Sequence, residues 1–374
     1  MSEAPSAAVP DQAAGPSSSP PGSLQPRTAV LLASAFLSVL LIALMFALPV
    51  PYVVLKPGPA LNTLGEVGGK PLIEVQGRRT YPTSGALDLT TVSVFGGPGN
   101  RVSLAAAVRG WLDSTQAVVP VESVYPEGQT ADESRQENER AMVSSQEAAT
   151  VAALKVLDIP VPTTLTVGGF ADAAPAAKVL RVGDVILGVG GVRTADLTAL
   201  RRELGRTEPG GDVRVLVRRA GAELTVTATT IEGRDGETRL TLLGVSIDPS
   251  FRFPFTVRIQ IEDIGGPSAG TMFALGIIDK LTPGDLTGGR KIAGTGTIDA
   301  DGVVGPIGGI QQKLVGARAA GATYFLAPAG ECDEVVDHVP DGLTVVPVTT
   351  LDGARTAVEA IARGGAEAAA LPSC

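Results

Sequence analysis

Between Arg27 and Lys56 the chain carries no charged residue, and from Ala29 to Leu48 only Ser34 and Ser38 interrupt an apolar run. Roughly 20 such residues suffice for a helix to cross a bilayer, where the backbone must satisfy its own hydrogen bonds. The run predicts a single transmembrane helix over 28–49 and makes every other domain one that hangs from it. A cleaved signal peptide would have a shorter apolar core ending at a small-x-small site. Phe46-Ala47-Leu48-Pro49-Val50-Pro51 offers none. One basic residue flanks each end, so charge bias leaves the orientation open.

Residues 1–27 are rich in Ala, Ser, Pro and Gly and hold too little apolar bulk to offset the entropy of ordering, which predicts a disordered tail. With 374 residues the chain has room for two or three domains. A net charge of −9 without any basic block argues against a nucleic-acid surface. One histidine, His338, and two cysteines, Cys332 and Cys374, cannot build a metal cluster or a disulfide framework. Both cysteines are expected to be without a role, a bridge between them being the less favoured alternative. No segment reads G-x-x-x-x-G-K-[ST], so no nucleotide site is expected.

Over 50–157 the pattern mixes a Pro57-Gly58-Pro59 turn, an alternating run (Leu87, Leu89, Thr91, Val92, Val94) and a helix from about Thr130 to Leu157. Thr130 and Glu133 have capping-box spacing, and Met142, Ala149, Ala153 and Val156 form an apolar face. Structural support is the expected role.

From 158 to 232 the order is Ala174-Pro175-Ala176-Ala177, then Leu180 to Leu187 with Gly183-Asp184 inside it, a Gly190-Gly191 turn, a short helix near Leu197–Leu204, and two strand runs joined at Ala220-Gly221. This resembles a PDZ domain of the bacterial protease-associated kind. The resemblance implies a groove that takes an extended peptide or chain end as an added strand; a PDZ domain used only for packing or gating is the alternative, because no carboxylate-binding loop stands out.

Two further stretches carry chemistry. Gly265-Gly266-Pro267-Ser268-Ala269-Gly270 leads into Met272, Phe273, Leu275, Ile277 and Ile278, which sets Ser268 near a helix N-terminus, where free N–H groups favour developing negative charge. Alone, such a serine is more often an N-cap. The second stretch runs Gly294-Thr295-Gly296-Thr297-Ile298-Asp299, an Asp301-Gly302 turn, and Pro306-Ile307-Gly308-Gly309 before a helix in which Ile310, Lys313, Leu314 and Ala317 share one stripe. A lysine on an apolar stripe either snorkels to water or, kept dry, loses its proton more easily and can act as a base.

Together these stretches, with Lys313 45 positions after Ser268, resemble the proteolytic domain of the Lon family over about 238–362. The resemblance implies an α+β chain: tail (1–27), transmembrane helix (28–49), an N-terminal segment (50–157) whose strands near Leu87–Val94 join the catalytic domain, PDZ domain (158–232), Lon-type proteolytic domain (235–365) and a short tail (366–374). It implies Ser268 as nucleophile, Lys313 as general base and Thr295 as a supporting hydroxyl, with no metal or cofactor needed. The expected function is ATP-independent, membrane-anchored serine endopeptidase action on protein or peptide substrates recruited in part by the PDZ domain. The domains are expected outside the cytoplasm, and a homo-oligomer is implied because Lon-type domains often form closed rings. Two positions depart from the family pattern: Gly265 stands where many ATP-dependent relatives have an acidic residue, and Thr297 where a glutamate is usual. The alternatives are a membrane-tethered PDZ adaptor with an inactive Lon-like domain, and a triad using His338, which lies in a polar turn.

Overall fold

Pro26 at the first turn and an unbroken apolar composition start helix α1 (Pro26–Ala47), about 33 Å long at 1.5 Å per residue. The structure is a computed structural model that describes residues 25–235, 238–261 and 264–374. Most of the expected disordered tail, and Glu262-Asp263, lie outside the described residues. The helix is long and apolar enough to cross a membrane, and its side chains pack against little else in the chain.

The fold is α+β in two units. The larger has a six-stranded sheet in the order Thr344–Val348, Tyr324–Pro328, Lys291–Gly294, Ala86–Phe95, Tyr52–Asn62, Ala117–Pro120. The first four strands are parallel and the last two antiparallel to their neighbours. Ala86–Phe95 comes from before residue 158 and Lys291–Gly294 from after residue 232, yet they are adjacent, Leu89 lying opposite Gly294. The chain leaves this sheet, builds the smaller unit and returns. Ile73–Gln76 pairs with Thr256–Ile259 across the same excursion.

Short helix α2 (Leu104–Leu112) follows the strand Val102–Ser103, with the Ser103 hydroxyl accepting from the Ala106 amide. Helix α3 (Ala131–Val156) opens on the expected capping box of Thr130 and Glu133. Its buried Met142, Ala149 and Ala153 join the large core, where Leu87, Leu89, Met272, Phe273 and Leu275 are fully buried or nearly so.

The smaller unit is an antiparallel sheet ordered Ala222–Thr229, Asp212–Arg219, Val185–Val189, Thr163–Phe170, Val245–Phe251, covered by helix α4 (Leu197–Leu204). Alternating buried residues Val213, Val215 and Val217 meet Leu165, Val167, Ile186 and Leu200. Asp184 is buried under a two-point ion pair with Arg219, both bonds 2.7 Å, which holds its carboxyl below the usual range. The sheet runs past residue 232. A hairpin, Ile231–Asp235 with Thr238–Leu242, intervenes before Val245–Phe251 returns to pair with Thr163–Phe170.

The two cysteines are bridged, Cys332 to Cys374, which corrects the expectation that they have no role. Their Cα atoms are 5.1 Å apart although 42 residues separate them in sequence. The C-terminal residues return to the sheet, where the Cys374 amide donates to the Val345 carbonyl.

Candidate active site

Helix α5 (Gly270–Leu281) is buried along nearly its whole length, and the turn before it carries Ser268. That turn is braced from two sides. On one, the Ser145 hydroxyl of α3 donates to the Pro267 carbonyl (2.9 Å) and the Gly266 amide donates to the Asn138 carbonyl (3.1 Å). On the other, the Ser268 carbonyl accepts from the Gly296 amide (2.8 Å) and the Thr295 hydroxyl (3.0 Å). Gly296 has a φ of +147°, and a Cβ there would come within 2.6 Å of the Thr271 hydroxyl, so no side chain fits between the two segments. Ser268 itself is half-buried. The Gly270 and Thr271 amides bond Pro267 and Gly296 carbonyls, leaving those of Ser268 and Ala269 without a protein partner among the described residues.

Helix α6 (Ile310–Ala319) holds Lys313 one turn from its start. Ile310, Leu314 and Ala317 pack onto Ala293, Phe325 and Ala327 of the sheet, and Lys313 shares that buried side at 2% exposure. Its Nζ donates to Thr295 Oγ1 at 3.0 Å. Burial lowers the Lys313 pKa from 10.5 to about 8, opposed by the negative charge of Glu331. Glu331 stands just before helix α7 (Cys332–Val335), buried, with one carboxylate oxygen accepting from the Ile307 amide and the other without a partner. Burial pushes its own pKa up.

Ser268 and Lys313 thus open on one cleft of about 570 Å³, with Thr90–Val94 along its other wall. Thr295 is brought between them. No hydrogen bond joins Lys313 Nζ to Ser268 Oγ among the described residues; the link runs through Thr295 and the Ser268 carbonyl. Gly265 owes its identity to space, because a Cβ would meet Asn138 Cβ of α3 at 2.8 Å, so an acidic side chain cannot stand there without moving α3. The Thr297 hydroxyl donates to the Pro306 carbonyl at 3.3 Å. His338 is exposed, its Nδ1 3.0 Å from the Val336 carbonyl, and lines no part of the cleft. Sequence reasoning missed Glu331, which sits in the polar stretch Gly330-Glu331-Cys332-Asp333-Glu334 and carries no local signal.

A second cavity, about 490 Å³, lies in the smaller unit between α4 and the free edge of Val245–Phe251. Leu197, Leu200 and Leu204 face Leu243, Val245 and Ile247 across it. Leu242, Leu243, Gly244 and Val245 line one part of it.

With both cavities in place, the classes are defined: a proteolytic domain of the Lon type follows a PDZ domain. Residues 262–359 match the Lon protease (S16) C-terminal proteolytic domain, and residues 139–230 match a PDZ domain. Among curated proteins the chain is similar to Lon protease 1 of Bacillus subtilis (strain 168), 31% identical over 115 residues. That match covers 29% of this chain and 15% of the relative. It is also similar to Lon protease of Clostridioides difficile (strain 630), 38% identical over 101 residues, covering 26% of this chain and 12% of the relative. The chain therefore spans about one seventh or less of the length of these relatives, all of it in the proteolytic part. Among solved structures, the PDZ domain of the SdrC-like protein from Listeria monocytogenes aligns at 18% identity and a TM-score of 0.20, covering 22% of this chain and 85% of that one.

Proposed function

We propose that the chain is an ATP-independent serine endopeptidase, with Ser268 as nucleophile, Lys313 as general base and Thr295 as the residue that positions both. The observation that carries this reading is a dry lysine, with a pKa near 8, on the same cleft as a serine in a turn before a helix. A neutral Lys313 amine takes the Ser268 hydroxyl proton as the oxygen attacks a peptide carbonyl. The N–H groups of Ser268 and Ala269, backed by the N-terminus of α5, receive the oxyanion. Lys313 then gives the proton to the leaving amine; in the second half, neutral Lys313 takes a proton from water as it attacks the acyl carbonyl and returns it to Ser268 Oγ as the acyl–oxygen bond breaks. The Lys313–Ser268 contact missing here is one that forms as substrate fills the cleft, since catalytic hydrogen bonds often tighten only in the complex.

The anchor, the domain limits and the PDZ role belong to the same reading. Helix α1 spans a membrane, with the proteolytic and PDZ domains outside the cytoplasm. The Cys332–Cys374 bridge supports that side, because disulfides persist in oxidising compartments. The free edge of Val245–Phe251 suits an added peptide strand.

The test compares full-length chain with Ser268→Ala on an unfolded protein substrate without nucleotide. Turnover by the first only, together with labelling of Ser268 by a serine-directed acylating probe, is the expected result. The missing Lys313–Ser268 bond also fits a second reading, a tethered adaptor with an inactive Lon-like domain, which would neither label nor cleave. Protease added to spheroplasts should reach the domains; protection would reverse the topology.

A further inference from the structure

We infer that the outer face of α2 lies in the lipid–water interface of the bilayer that α1 spans, an inference resting on the anchoring reading above. Helix α2 is apolar on both sides. Its inner residues Ala105, Ala107 and Gly110 are buried, and a Cβ on Gly110 would come within 2.7 Å of Val118 and 3.2 Å of Val54. Its outer stripe runs at four-residue steps from half-buried Leu104 and Val108, next to the end of α1, to exposed Leu112 with Trp111 beside it. Leu112 is 83% exposed and Trp111 55%. A helix that is hydrophobic all round is one covered on both sides.

The occupant is set by where the helix starts. The Leu104 amide donates to the Leu48 carbonyl at 3.0 Å, one residue past the end of α1, and Pro49–Val50 pairs with Val102–Ser103. The first turn of α2 is thereby held at the bilayer boundary. Nine residues at 1.5 Å keep the whole stripe within about 13 Å of it. Trp111 meets Tyr52 edge-to-face, centroids 5.5 Å apart, a pair of amphipathic rings of the kind that collects at headgroup level. Arg109, exposed in the last turn, supplies a cation for lipid phosphate.

Trp111 is the only tryptophan in the chain, so its fluorescence reports on this face without any label. The full-length chain is reconstituted in phosphatidylcholine–phosphatidylglycerol vesicles containing lipids with a quencher at a shallow or a deep acyl position. Expected are emission shifted to the blue of the unfolded chain and at least twofold stronger quenching by the shallow quencher than by the deep one. Leu112→Glu should cut the shallow quenching while the chain stays anchored. Resistance to carbonate extraction is read on the same vesicles. A resistant chain whose Trp111 is quenched by aqueous iodide and not by lipid overturns this inference alone. So does lipid-independent emission that changes with protein concentration, which would mean a second copy covers the face. An extractable chain overturns the anchoring reading and this one with it.

Discussion

Lys313 Nζ donates to the Thr295 hydroxyl at 3.0 Å, and the same hydroxyl donates to the Ser268 carbonyl at 3.0 Å. Thr295 is fully buried, so its one proton and a lone pair are both committed to the two residues proposed to react. A buried ammonium with a single neutral acceptor is weakly compensated, and that is why burial dominates its pKa.

For Lys313, turnover should rise with pH through about 8 as the neutral amine appears. Lys313→Arg should be inactive, since a guanidinium keeps its proton. The folded pKa lies below the unfolded value, so between about 8 and 10.5 the unfolded chain binds the extra proton and stability rises with pH. The rise is on the order of 3 kcal/mol at most. Lys313→Met should abolish both the activity and this slope in denaturant melts, and fold at least as stably at pH 7. Near-wild-type turnover by Lys313→Arg would require a different base.

Thr295→Val keeps the shape and removes the hydroxyl. It leaves a buried ammonium and a carbonyl each short of one partner, which should cost about 1–3 kcal/mol in a urea titration. Because the charged form of Lys313 loses its acceptor, the pH–rate inflection should move below that of wild type. Thr295→Ser should restore both the inflection and most of the stability.

Glu331 acts on the same lysine by charge. Its carboxylate favours the ammonium, so Glu331→Gln should lower the Lys313 pKa and shift the pH–rate curve toward acid. The amide oxygen of the glutamine can still accept from the Ile307 amide, which keeps the Pro306–Gly309 approach to α6 in place. An unchanged inflection would show that Glu331 is screened from the amine.

Reduction of Cys332–Cys374, or replacement of both by alanine, should lower stability by up to about 4 kcal/mol for a loop of this length. Thermal unfolding with and without reductant measures it. An unaltered melting temperature would mean that the C-terminal residues contribute nothing once released.

The turn that carries Ser268 and the helix that carries Lys313 were legible because each is a local pattern: a Gly/Pro turn before an apolar run, and a charge on an apolar stripe. Glu331 was not, because it reaches Lys313 only through the fold, by way of the strand Tyr324–Pro328 that follows α6. The Cys332–Cys374 bridge was hidden for the same reason: 42 residues of sequence say nothing of a 5.1 Å separation. The strand Val245–Phe251 pairs with Thr163–Phe170 across a hairpin, Ile231–Asp235 with Thr238–Leu242, and no local pattern in the sequence announces that long-range pairing. The Ala86–Phe95 strand was placed with the proteolytic domain by resemblance alone. The parallel pairing of Leu89 with Gly294 gives the physical reason, because without it the sheet beneath α5 and α6 would be split.

The strand Tyr52–Asn62 also sets a leash. Val92, on the wall of the cleft, lies opposite Pro57, and Pro57 is nine residues beyond Leu48 at the end of α1. Nine residues cannot stretch beyond about 32 Å. With α1 in a bilayer, the cleft that holds Ser268 therefore stays inside a layer scarcely thicker than the bilayer itself. Polypeptides tethered to the same membrane would meet it by a search in two dimensions at high local concentration, while a freely diffusing protein would have to come down to the surface and unfold there.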